Sequence, residues 1–211
     1  MRHLPEAWLR AAAAVGARSD VAQAGAELLG RYAEPHRRYH DLAHLDDVLR
    51  HVDELAEHAR DVHVVRLAAW FHDAVYDPTA SDNEESSARL AETTLSELRV
   101  EDAVVGEIAR LVRGTAEHAP VPGDLDAEVL CDADLAILAS APERYQVYVE
   151  AVRAEYEHVD DDAFARGRAA VLRGLLARDP MFSTPTGRDQ WEGAARANVT
   201  SELARLGRAD G

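Results

Sequence analysis

The chain has 211 residues, 47% of them hydrophobic and 29% charged, with a formal net charge of -16 at pH 7. That length can bury a large core in one compact domain, and the apolar runs are too short and too interrupted to span a bilayer. The acidic balance argues against long nucleic acid as a partner, since phosphate neutralisation needs a basic surface, and because all 23 basic residues are arginine a catalytic lysine is excluded.

Apolar residues recur at helical spacing almost everywhere, with no run of strict alternation, so the predicted fold class is all-α. The spacing predicts helices over residues 5–16, 20–33, 42–59, 62–75, 82–98, 101–116, 125–139, 142–157, 160–178 and 187–206. In the first, Glu6 and Arg10 interrupt any signal-peptide core. Together with a single cysteine, Cys131, which cannot form an intramolecular disulfide, this leads us to expect a cytoplasmic protein.

The third helix follows a segment, Glu34 to Val48, that holds His36, His40 and His44 within nine residues. Asp41 is suited to cap it, which leaves His40 outside and His44 in the first turn, on a face that Val48 and Leu49 turn toward the core. The fourth ends in the apolar run Leu67 to Tyr76, which contains the adjacent pair His72-Asp73. A histidine and a carboxylate there need a strong partner, and a metal ion is one. Asp82 is a candidate cap for the fifth helix, with Glu85 completing a capping box. Pro120, Pro122 and Gly123 break the chain before the seventh, where Asp132 and Asp134 interrupt an apolar stretch. Two residues apart, these aspartates point about 200° away from each other on a helix, so one should ligate while the other is an outer partner or a cap. Pro142 fits a first turn, and Pro180 and Pro185 break the last connection.

The ordered set of a histidine with a valine four residues on, a His-Asp pair about thirty residues later and a distal aspartate in an apolar helix resembles the HD-domain superfamily of metal-dependent phosphohydrolases. The strings from Glu34 to His44, Trp70 to Asp77, Asp82 to Ala88, Asp132 to Leu138 and Arg153 to Val159 are similar to a bacterial branch described as predicted HD phosphohydrolases, over residues 30 to 203. The resemblance implies a single HD-type helical bundle of about ten helices over residues 1–211. It also implies four metal ligands: His44, His72, Asp73 and, between the two aspartates, Asp134. Where that family often has a lysine after the distal aspartate this chain has Leu135, which moves phosphate contact to arginines.

Two imidazoles and two carboxylates suit manganese, iron, cobalt, nickel or zinc, and leave coordination positions for water and a phosphoryl oxygen. Asp73 is then ligand and catalytic carboxylate together, and Asp77, Glu84 and Glu85 are candidates to orient the water or accept its proton. Arg37, Arg38 and Arg153 are candidate phosphate contacts by their planar forks, and His40 and His118 are further substrate-binding candidates. Tyr156 and His158 resemble family positions without an assigned role. The expected activity is hydrolysis of a nucleotide or other small phosphate ester, with no membrane partner and a homo-oligomer left open. Two other readings stay in view. A dinuclear-iron oxygenase on the same scaffold would need extra histidines, for which His40 and His118 are the obvious suppliers, and a nucleotide-binding module would keep the fold without turnover.

Overall fold

A computed structural model describes residues 3–209, with side chains to residue 207. Among them the chain forms ten α-helices: α1 Leu4–Ala14, α2 Val21–Tyr32, α3 Leu42–Glu54, α4 Val62–Phe71, α5 Asn83–Glu97, α6 Asp102–Gly114, α7 Leu125–Leu135, α8 Pro142–Glu155, α9 Asp161–Leu176 and α10 Glu192–Ala209. Short 3₁₀ turns extend α3 and α7, and a π-turn, Gly187–Trp191, leads into α10. No strand occurs among the described residues, and none of their helices is long and apolar enough to cross a membrane.

The helix α4 is apolar over most of its surface, with His63 and Arg66 its polar residues, because it is the centre of the bundle. Val65, Leu67, Ala68, Ala69, Trp70 and Phe71 are fully buried, and α1, α3, α5, α6 and α7 pack around it. Burying a side chain such as Phe71 stabilises the fold by about 1.5–3 kcal/mol. One cluster of buried apolar residues runs from Leu4 to Val199, so α1 belongs to the core with the rest.

Aspartates begin several helices. Asp41 accepts from the N–H groups of Ala43 and His44, Asp61 from His63 and Val64, Asp124 from Ala127 and Asp160 from Ala163. Asp82 makes no such bond, so the expected capping box is absent. Glu85 turns outward instead and pairs with Arg89 at 2.8 Å and Arg113 at 2.6 Å. Bidentate arginine contacts are stronger for a carboxylate than one backbone N–H.

The helix expected over 62–75 stops at Phe71, with His72 its terminal residue and Asp73 beyond it. Arg37, 5% exposed, donates to the carbonyls of Asp73 at 2.8 Å and Ala74 at 3.3 Å. Those carbonyls belong to the turn that follows α4. The same guanidinium reaches the carbonyl of His40 at 2.8 Å, so it joins the segment before α3 to the turn after α4. Because only residues 55–61 separate α3 from α4, the start of α3 lies beside the end of α4, and the end of α7 arrives at the same place.

At the other side of the bundle α1 and α2 touch through Gly25, where an added Cβ would lie 2.3 Å from Trp8 Cδ1 and 2.7 Å from its Nε1. Trp8 cannot swing away freely, because its indole N–H donates to Val21 O and its ring meets Trp70 edge to face. Gly25→Ala is therefore expected to destabilise by about 2–3 kcal/mol through overpacking, against the usual gain of replacing a helical glycine. A thermal melt checks it, and an unchanged or raised midpoint would contradict the packing described.

Candidate metal centre

Four side chains from three helix ends converge. Asp41 fixes the start of α3, so that His44 in the first turn points inward at 4% exposure. His72 closes α4 at 1% exposure, with its Nδ1 2.9 Å from the carbonyl of Ala69. A carbonyl only accepts, so Nδ1 carries the proton and Nε2 turns a lone pair to the site. His44 Nε2 lies 3.0 Å from His72 Nε2. Asp73 Oδ2 is 3.2 Å from His44 Nε2 and 3.1 Å from His72 Nε2. Asp134 Oδ1, from the end of α7, is 3.3 Å and 3.6 Å from the same two nitrogens. His44, His72 and Asp134 each offer a donor atom within 4.8 Å of the others, and Asp73 joins them through the two imidazoles.

These separations are a test of fit. Bonds of about 2.1 Å put neighbouring ligands about 3.0 Å apart in an octahedron and about 3.4 Å apart in a tetrahedron, and the five distances lie from 3.0 to 3.6 Å. The electrostatics agree. Burial pulls both imidazoles down, yet the carboxylates of Asp134 and Asp73 outweigh it, raising His44 to about 9 and His72 well above its ordinary value. Burial pushes the two aspartates up, but the histidines hold both well below the usual carboxylate range. This is a point in the protein that favours positive charge, and the donor set fits a divalent transition ion.

Asp132, on the other face of α7, has a different task. Its Oδ2 accepts from Thr184 N and Thr184 Oγ1 at 2.7 Å each and its Oδ1 from Ser183 N at 2.9 Å, tying the α9–α10 connection to α7. Burial pushes this carboxyl up, against those donors. Asp132→Ala, which leaves buried N–H groups unpaired, should cost about 3 kcal/mol in stability with the metal stoichiometry unchanged. Calorimetry and metal analysis on one sample separate the two aspartates.

A cavity of 710 Å³ opens over the centre, with Asp73 and Asp134 in its wall beside His40, His118, Glu84 and four tyrosines, 39, 76, 148 and 156. Of the expected substrate contacts, His40 and His118 line it and Arg37, Arg38 and Arg153 do not. Arg37 holds backbone carbonyls, and Arg153 pairs with Asp161 and the carbonyls of Tyr156 and Val159. The arginines that do line it are Arg168, bonded to Glu202 and Tyr148, and Arg178. Asp77 caps its own turn through Thr79, and Glu85 lies in its surface ion pairs, so of the three carboxylates expected to handle the water only Glu84 faces the cavity.

Sequence reasoning missed Glu155. Its Oε1 accepts from three consecutive N–H groups, Arg38 at 2.8 Å, Tyr39 at 2.8 Å and His40 at 3.0 Å, and its Oε2 from His40 Nδ1 at 2.7 Å and Tyr76 Oη at 2.9 Å. The available signal was its place on the inner stripe of α8 with Tyr145, Tyr148 and Val152, a carboxylate at apolar spacing. Searches of family models, curated proteins and solved structures return no match to this chain.

Proposed function

We propose that this protein is a metal-dependent phosphohydrolase of the HD type, acting on a nucleotide or another small phosphate ester. The observation that carries the reading is the convergence of His44, His72, Asp73 and Asp134 at metal-ligand separations, with Asp73 and Asp134 in the wall of a 710 Å³ cavity. A manganese, iron, cobalt, nickel or zinc ion held there would supply a Lewis acid and lower the pKa of a water.

The chain's own groups do the rest. His40 Nδ1 donates to Glu155, which fixes the ring and leaves Nε2 as the end able to give or take a proton in the cavity. Glu84, which lines the cavity, is a carboxylate outside the ligand set for orienting water. The tyrosines and Val171, Leu175 and Ile137 give the cavity an apolar side for the body of the ester, a mix typical of small-molecule sites. The buried free thiol of Cys131 is in keeping with a cytoplasmic setting.

One contact weighs against the dinuclear oxygenase. His118 Nε2 is joined to Asp134 Oδ2 at 2.6 Å, closer than two ligands of one ion stand. The test is phosphate release from a panel of nucleotides and sugar phosphates by protein stripped with a chelator and reloaded with manganese or cobalt. Activity should require the metal, and His40→Asn should lower kcat by about 10²–10⁴ with metal still bound. Metal-loaded protein that turns over nothing on the panel would refute the proposal.

A further inference from the structure

We propose that His118 and Arg178 form a positioning relay that aims the Asp134 carboxylate at the metal centre; this rests on the metal reading above. The two oxygens of Asp134 are divided between different neighbours. Oδ1 faces His44 and His72, whereas Oδ2 accepts from His118 Nε2 at 2.6 Å. That distance is a charge-assisted hydrogen bond, too short for two atoms bound side by side to one ion at bonds of about 2.1 Å. His118 is therefore an outer partner of a ligand rather than a ligand.

What holds His118 there is unusual. It stands at φ +47°, a left-handed conformation that a residue with a Cβ adopts reluctantly. The turn is closed by His118 N–H donating to Thr115 O at 3.2 Å, and Thr115, itself buried, is anchored to Val112 O at 2.7 Å. Arg178, just after α9, clamps the outer side: one arm of its guanidinium donates to Glu117 O at 2.7 Å and the other to His118 O. Arg178 is in turn held by Arg196 of α10, which donates to its carbonyl. A conformation disfavoured by itself persists only where its surroundings over-determine it, and such places cluster at functional sites. Here the path runs from α9 through Arg178 and the His118 backbone to the His118 ring, and from there to Asp134 on α7. Rotation of the carboxylate about its χ2 is the freedom this path removes, and outer partners of this kind orient metal ligands in known sites.

Cobalt(II) is the probe, read by its visible absorption band and by competition with a chelator on wild type, His118→Ala, His118→Gln and Arg178→Ala. Wild type is expected to bind one ion. His118→Ala should bind it about 10- to 100-fold more weakly, with an altered band that reports a changed ligand geometry. Glutamine, whose amide N–H can reach where Nε2 stood, should restore most of the affinity, and Arg178→Ala should show a smaller loss in the same direction. Thermal melts of the metal-free variants identify any general unfolding, against which the glutamine rescue is the control. Wild-type affinity and an unaltered band in both alanine variants would overturn the relay while leaving the metal centre standing. Two ions in wild type and one in His118→Ala would overturn it by making His118 a ligand. Failure of wild type to bind cobalt would remove the metal reading and the relay with it.

Discussion

Replacing His72 with alanine should abolish metal binding and destabilise the metal-free fold by about 3–5 kcal/mol, the cost of removing one member of a buried charged group. Two losses add. The first, on the proposed reading, is a ligand: His72 Nε2 stands within 3.0 to 3.6 Å of the donor atoms of His44, Asp73 and Asp134, so without it the set is reduced to three. That exceeds the roughly 10- to 100-fold effect of losing an outer partner. The second is electrostatic: the Asp73 and Asp134 carboxylates are held far below the usual range after burial has pushed them up, and His72 is the strongest contributor to that. Metal analysis and chemical denaturation measure the two separately. In the wild type, metal at 100 times its dissociation constant should add about 2.7 kcal/mol of stability, and in His72→Ala that increment should vanish. A variant that kept both full metal content and the increment would place the ion elsewhere.

The legibility of this molecule divides along a physical line. Helix positions follow from periodicity, because an amphipathic stripe is written in consecutive residues, and ten helices stand close to where the spacing predicts them. His72 and Asp73 are legible because polarity in an apolar run has few explanations, and the 200° rule for Asp132 and Asp134 needs only helix geometry to say that the two differ. Contacts between distant segments are another matter. Arg37 is a phosphate contact as far as sequence can say, yet its fork closes the end of α4 from 36 residues away. Arg168 on α9 and Arg178 just after it line the cavity, and no local pattern connects them to the centre. The capping box at Asp82 fails for the same reason, since Arg113 on α6 competes for Glu85. Side chains with long reach are assigned by tertiary packing, which spacing along the chain does not encode.

Glu155 gives the second large effect, and it is readable as a pH dependence. Five donors from two parts of the chain, residues 38–40 and Tyr76, meet its carboxylate, which is 4% exposed. Burial pushes it up, but the His40 ring and the N–H groups of Tyr39 and His40 outweigh that and hold it at about 2, against an ordinary 4.5. A carboxyl whose folded value is depressed stabilises the fold above its unfolded value and loses that contribution as pH falls toward the folded one. The window is thus from about pH 5 down to about pH 2, and its full size is roughly 3 kcal/mol. In Glu155→Gln one amide oxygen can still accept from the three N–H groups, but the amide nitrogen only donates, so the hydrogen bonds that His40 Nδ1–H and Tyr76 O–H give to Oε2 are lost. The variant should lose about 3 kcal/mol at pH 7 and show a flatter decline below pH 5, because the group that titrates there is gone. Denaturation at pH 7, 5, 4 and 3 on both proteins makes the comparison. Equal slopes would mean that acid acts on some other carboxylate. If the slopes differ as expected, His40 in the variant should also lose its fixed ring orientation, which couples the acid sensitivity of the fold to an imidazole that faces the cavity.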